Sequence, residues 1–332
     1  MRIFLDESGT FSGSSDKSSV SAVGALIIPD QQFPGFEKLY GRLRNKLPVH
    51  NGEVKGRLLD ESQVSEVVKV LHKLGCLFEI VVVDSVVHSE KDLEIHRKSQ
   101  AEKLTANLTE KHQKSLVDEV WALRKQLEGM STQLYIQSCA LSELVYNVLF
   151  HANLYYAFRL PKELGEYNWV IDAKDRDKVT SWENWWSTVV LSMIESKSFR
   201  KPFIAAEGGN YRWHEKFKTD LDDYKKQFVR DPDKGSWFNL NPILQDNIRF
   251  SSQPEFGLEA VDILTNAVRR SMAGNFSRDG WLPIRELMVH TNRHYIRMIS
   301  LASEDAALPK VSYLNVLDDF TKGGRALLPP GY

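Results

Sequence analysis

Three carboxylates occupy positions where a carboxylate is costly. Asp6 ends the apolar run Ile3-Phe4-Leu5, Asp172 ends Tyr167-Asn168-Trp169-Val170-Ile171, and Asp262 lies inside an apolar helical pattern among Leu258, Val261, Ile263 and Leu264. Taking an ionised carboxylate out of water costs several kcal/mol unless it is paired, hydrogen-bonded or metal-bound. Brought together, such acids offer the hard oxygen ligands that Mg²⁺ or Mn²⁺ prefers. A two-metal arrangement, with ions ~3.5–4 Å apart, activates water and stabilises the leaving oxygen in phosphodiester cleavage. Each acid also has a plainer role. Asp6 can cap the turn that follows it, Asp172 can open an Asx-turn in the charged run 172–177, and Asp262 can pair with Arg269 or Arg270. Glu53, in the Gly-marked connector His50-Asn51-Gly52-Glu53-Val54-Lys55-Gly56, reads by itself as solvated. Glu7 points to the opposite face of its strand from Asp6 and reads as a supporting residue.

The elements that must position these acids follow from hydrophobic periodicity. Ile3 to Leu5 is a short strand, and Val20 to Ile28 a second one stopping at Pro29; together they predict an antiparallel hairpin with a wide loop, both strands central. Helical spacing covers 36–47 and then Val64 to Leu74, and Cys76 to Asp84 is the strongest strand signal, predicted to be interior. Residues 90–128 are helical with eight acids against eight bases, which reads as a solvated arm or insertion. An apolar helix, Leu134 to Phe158, leads to the strand ending at Asp172. After it come a helix over 180–196, a weak strand at Phe203 to Ala206, and Asp246 to Ser251 leading into the helix Phe256 to Met272. A helix near 283–300 and a Gly/Pro-rich tail close the chain as a peripheral strap.

Composition narrows the function classes. The 332 residues carry 43 Lys+Arg against 44 Asp+Glu, so no global basic field exists to hold a polyanion. Contact with nucleic acid would depend on local patches or metal ions. Two such patches exist: 197–230 has nine basic residues against five acids, with Tyr211, Trp213 and Tyr224 interleaved, and 264–300 has six arginines against two acids. Cys76 and Cys139 lack CxxC spacing and read as core residues rather than a zinc or redox pair. The opening residues lack an apolar leader and no run reaches the ~20 apolar residues of a membrane span, so the expectation is a cytoplasmic protein without membrane contact.

Other motifs point away from other chemistries. His290 and His294 have i,i+4 spacing on the expected helix but lack the intervening Glu of a zincin. Trp182, Trp185 and Trp186 read as core or a subunit interface. No GxxxxGK[ST] or GxGxxG is present, and Glu7-Ser8-Gly9 lacks the flanking glycine of a serine nucleophile elbow.

The combination resembles a known family. Ile3-Phe4-Leu5-Asp6-Glu7-Ser8-Gly9, the strand from Ala22 to Pro29, Glu53-Val54-Lys55, the strand ending at Asp172, and Phe250-Ser251-Ser252 followed by Leu258-Glu259-Ala260-Val261-Asp262 are similar to the bacterial family catalogued as domain of unknown function 3800 (DUF3800), which is regarded as RNase H-like. The likeness covers roughly 1–275. At the last helix the family usually has Gln-x-Ala-Asp where this chain has Glu259-Ala260-Val261-Asp262.

The resemblance implies an α/β fold: an RNase H-like mixed central sheet flanked by helices, over 1–275, with a helical insertion near 86–160 and a C-terminal helical extension over 276–332 packed on it. It implies that Asp6, Glu53, Asp172 and Asp262 converge as the catalytic set, with Asp6, Asp172 and Asp262 ligating Mg²⁺ or Mn²⁺. Glu7, Ser8, Lys55 and Glu259 would support the site or contact substrate. The expected activity is a metal-dependent nuclease acting on DNA or RNA, and a defence or mobile-element setting suits it. The competing expectation is a non-catalytic nucleic-acid or protein-binding module, or an effector that needs a protein partner, keeping the same fold; a homo-oligomer fits either.

Overall fold

The computed structural model describes residues 1–11, 19–106, 108–109, 112–173, 183, 186–221, 226, 237–291, 294–301 and 311–330. At its centre is a six-stranded mixed sheet in the order β10-β5-β2-β1-β6-β9. β1 (Arg2–Ser8) and β2 (Val20–Ile28) pair antiparallel, with Arg2 opposite Ile28 and Ser8 opposite Ala22. The expected hairpin of two central strands is present. β5 (Leu77–Asp84) runs antiparallel to β2 and is buried along its whole length, in keeping with its β-branched run Ile80 to Val83. β6 (Asn168–Asp172) lies parallel to β1, and β9 (Ile248–Ser251) parallel to β6. Outside this sheet are two short ribbons, β3 (Val49–His50) with β4 (Glu53–Val54) and β7 (Lys218–Thr219) with β8 (Trp237–Phe238).

Each face of the sheet carries its own core, because strand side chains alternate. Ile3, Leu5, Val81, Val83 and Ile171 pack against α5 (Thr132–Arg159), while Phe4, Leu26, Ile80, Val82 and Val170 pack against the opposite layer. That layer holds α1 (Phe33–Arg44), α2 (Glu61–Lys73) and α7 (Phe256–Met272), with α7 lying directly on β1 and β2. α2 opens with a capping box between Asp60 and Gln63, which satisfies two amide donors that a bare helix start would leave open. Leu258, Val261, Ile263, Leu264 and Val268 of α7 are buried, each contributing roughly 1.5–3 kcal/mol. The helix seats this closely because β2 has a glycine beneath it: a Cβ at Gly24 would stand 2.0 Å from Thr265 Oγ1.

α3 (Glu90–Thr105) and α4 (Lys114–Glu128) pack on each other, and Leu93, Ala101 and Leu127 join the α5-side core. α6 (Leu191–Arg200) follows a π-helical turn at Trp186–Val190 and also packs on α5. Phe203 to Ala206, expected as a weak strand, pairs with no strand. The expected helix near 283–300 is also absent. Leu282–Leu287 is a short 3₁₀ turn, and Arg297–Met298 forms β10, parallel to β5. Leu287, Met288 and Val289 are buried in succession, a pattern no amphipathic surface helix supports. The last element, α8 (Leu314–Phe320), stacks Phe320 on Trp281 with ring centroids 5.2 Å apart. No helix among the described residues is long and apolar enough to cross a membrane.

Candidate active site

Strand alternation places the first acid. Phe4 faces the α7 layer and Leu5 the α5 layer, so Asp6 and Ser8 face α7 and Glu7 faces α5. The contacts agree: Ser8 Oγ accepts from Asn266 Nδ2 at 3.2 Å and from Arg269 Nε at 2.8 Å, both on α7, while Gln137 of α5 donates to the Glu7 carboxylate. Ser8 therefore locks the strand end to the helix that carries Asp262. Asp6 Oδ1 accepts the Glu7 amide at 2.7 Å. In the parallel pairing Leu5 is level with Ile171, so Asp6 and Asp172 stand side by side on adjacent strands, and both also border a small recess lined from the α5 side by Glu7, Val23 and Leu141.

The connector bearing Glu53 is more ordered than its composition suggested. Asn51 and Gly52 both have positive φ, 52° and 84°, and close a two-residue turn between His50 and Glu53. Asn-Gly is the pair that such a turn selects, and the sequence carried that signal for a hairpin. Beyond the turn, two acids one helical turn apart on α7 clamp the chain. Glu259 Oε1 accepts the Val54 amide at 3.0 Å, and Asp262 Oδ2 accepts the Gly56 amide at 2.8 Å. The fit needs glycine, since a Cβ at Gly56 would stand 2.7 Å from Ile263 Cα and 2.9 Å from the Asp262 carbonyl. Arg270 donates to the carbonyls of Gly56 and Leu59, and Arg269 donates to Ser8 while its charge also interacts with Asp262.

Glu259 has a role that its spacing did not reveal. It is buried, takes a two-pronged contact from Arg44, and accepts from Tyr40 Oη at 3.3 Å. Arg44 also donates to the Gly52 carbonyl at 2.6 Å, so one guanidinium joins α1, the hairpin turn and α7. Burial and the Glu259 charge hold the Tyr40 phenol far above its ordinary range, which keeps it a hydrogen-bond donor.

The electrostatics tie Glu53, Lys55, Asp172 and Asp262 into one group. Lys55 Nζ pairs with Glu53, and its charge is also felt at Asp172 and Asp262. Burial pushes the Asp172 carboxyl up to about 6; Lys55 pulls against this, while the charges of Glu53 and Asp262 add to it. Asp262 is also raised, first by burial, with the Gly56 amide, Lys55 and Arg57 opposing and Glu53 reinforcing. Burial is thus the first cause at both acids, and the nearby cations, Lys55 at both and Arg57 at Asp262, only partly offset it. Among the described residues no three His, Cys, Asp or Glu side chains are grouped so as to hold a metal ion. The donor set nevertheless fits Mg²⁺ or Mn²⁺ in chemistry: oxygen ligands only, in carboxylate excess, on elements fixed by buried contacts.

The other sequence candidates resolve as follows. His290 and His294 are not on a helix, and His290 Nδ1 meets the Tyr295 hydroxyl, so the i,i+4 reading has no basis. Trp186 is buried and packs on Trp169 at 6.3 Å, whereas Trp182 and Trp185 lie outside the described residues, as does Tyr224. Of the arginines in 264–300, Arg278 pairs with Asp319, Arg285 donates to the Asp319 carbonyl and Arg297 contacts Glu143. Arg293 is outside the described residues. This segment is tied into the scaffold and does not present one basic face. Cys76 is buried, and desolvation pushes its thiol up to about 12, consistent with a core residue.

Comparison with protein-family models, with curated proteins and with solved structures gave no match to this chain.

Proposed function

We propose that the chain is a metal-dependent nuclease of RNase H-like fold that hydrolyses nucleic acid phosphodiester bonds at the acids between the strand ends and α7. The reading rests on the resemblance of the Asp6-Glu7-Ser8-Gly9 opening and the Asp262 helix to the DUF3800 family. It is supported by a sheet in which Asp6 of β1 and Asp172 at the end of β6 stand side by side on adjacent parallel strands. The observation that carries it is the gathering of half-buried Asp172 and Asp262 with Glu53 beside Lys55, where burial first, and then the neighbouring acids, push Asp172 up to about 6. Stability alone gives no reason to gather acids in this way.

In this reading Asp6, Asp172 and Asp262, completed by Glu53, hold Mg²⁺ or Mn²⁺. The bound cation lowers the pKa of water and stabilises the leaving oxygen. The chain supplies the rest. The Gly56 amide orients Asp262, Ser8 fixes the end of β1 to α7, and Lys55 is the cation available to a non-bridging phosphate oxygen. Asp6→Asn or Asp262→Asn should abolish Mg²⁺-dependent cleavage of single- or double-stranded DNA or RNA while circular dichroism stays unchanged. Full retained cleavage overturns the assignment. The second reading, a binding module without chemistry, draws on Lys55 itself, whose ammonium gives the acids a counter-charge of their own.

A further inference from the structure

A second polar cluster lies on the opposite face of the sheet. β5 is apolar along its length except for Glu79 and the terminal Asp84, and Glu79 is 5% exposed. Its carboxylate is 2.9 Å from His151 Nδ1 on α5. One and two turns before His151, on the same stripe of an otherwise apolar helix, come Asn147 and Glu143. Glu143 accepts from Lys197 and, at 3.2 Å, from Arg297 Nε on β10. A cleft of about 380 Å³ opens onto Glu79, Glu143, Asn147, His151, Lys201 and Arg297, with an apolar wall that includes Phe150 and Met288. That volume lies within the ~300–1,000 Å³ range of small-molecule sites.

Both acids are already engaged by cations, and the cations outnumber them. Burial pulls the His151 imidazole down, but the charge and hydrogen bond of Glu79 outweigh it and raise the group, favouring the imidazolium. With His151 charged, three cations line the cleft (His151, Lys201 and Arg297) and Lys197 pairs with Glu143 beside it, so together they exceed Glu79 and Glu143 by two positive charges, suited to an anion. Hydrogen-bonding capacity is also left over. Arg297 commits only Nε, and the Asn147 amide has no partner among the described residues. Lys201 is held through its carbonyl, which accepts from Tyr146 Oη at 2.6 Å, and its ammonium lines the cleft, where its charge acts on Glu143.

We propose that this cleft binds a small organic phosphate monoester, its phosphoryl group held by Arg297, Lys201 and His151 and its organic part lying against Phe150 and Met288. Arginine forks match phosphate geometry, and the charge count suits a monoester dianion. Binding is tested by calorimetry of the full chain with phenyl phosphate, inorganic phosphate and phenol at constant ionic strength. Phenyl phosphate should bind saturably and more tightly than inorganic phosphate, and phenol should not bind. Arg297→Gln should weaken phenyl phosphate by roughly tenfold or more, the worth of a charge-assisted contact. Because that variant also releases Glu143, Lys201→Gln is the second test and should weaken binding severalfold with an unchanged Tm. Asp262→Asn, on the other face, should bind phenyl phosphate as the parent does, which separates this cleft from the proposed nuclease site. No saturable binding of phenyl phosphate, equal binding of phenol, or a Lys201→Gln variant that binds like the parent overturns the proposal.

Discussion

Gly56 donates its amide to Asp262 at 2.8 Å across a sequence separation of 206 residues, and the absence of a side chain at Gly56 is what permits the approach. The contact fixes one carboxylate oxygen of Asp262 and, through the same backbone, places Lys55 and Glu53 beside it. Backbone clamping of this kind orients a carboxylate without spending a second charged side chain on it.

Gly56→Ala should therefore be destabilising. The added methyl meets backbone atoms that cannot turn aside, so a cost of about 1–3 kcal/mol is expected. Gly35→Ala is the matched control, because its Cβ would meet only Leu74 Cδ2 at 3.4 Å. In helix α1 that change should be neutral or slightly stabilising. Thermal or urea unfolding of the two variants gives the comparison.

Glu259→Gln should cost about 3 kcal/mol, the low end of the range for breaking a buried ion pair, since Arg44 retains 21% side-chain exposure. It loosens α1, the hairpin turn and α7 together. The loss should fall on stability, read by urea unfolding, and on the order of 50–56, read by hydrogen exchange at the Val54 and Gly56 amides.

How much of this was legible in the sequence differs from residue to residue. β1, β2 and β5 were visible as short apolar, β-rich runs, and Asp6, Asp172 and Asp262 stood out because a carboxylate in such a setting needs a reason. The hairpin at Asn51-Gly52 was written in the sequence as the turn pair itself, although its Gly-rich surroundings read as a connector. Glu259 was not readable as a clamp, because its partner Arg44 is 215 residues away and nothing local marks the pairing. β10 was hidden for a related reason. Two residues beside β5 have no period of their own, and the arginine spacing of 278–297 imitates a helix face.

The raised Asp172 makes a prediction about pH with a definite sign. A carboxyl whose folded pKa is about 6, above the ordinary value of about 4, binds its proton more tightly in the folded state. Its ionisation penalty is absent below about pH 4, grows as pH rises through the folded pKa, and is complete above it. Asp172→Asn removes that penalty. The variant should match the parent's stability at low pH and exceed it by about 1–3 kcal/mol at neutral pH, with the difference opening across that window in a series of urea unfolding curves. A constant difference at all pH values would show that Asp172 is not held desolvated beside other acids.

The most direct measurement is the Tm of the parent and of Asp172→Asn at neutral pH across a series of Mn²⁺ concentrations at fixed ionic strength. If Glu53, Asp172 and Asp262 are gathered to take a divalent cation, Mn²⁺ should raise the parent Tm progressively with the logarithm of its concentration above Kd, reaching about 2.7 kcal/mol of stabilisation at a hundredfold excess over Kd. The variant, more stable without the ion, should respond weakly or not at all. An unchanged parent Tm, or the same rise in both proteins, would contradict the account.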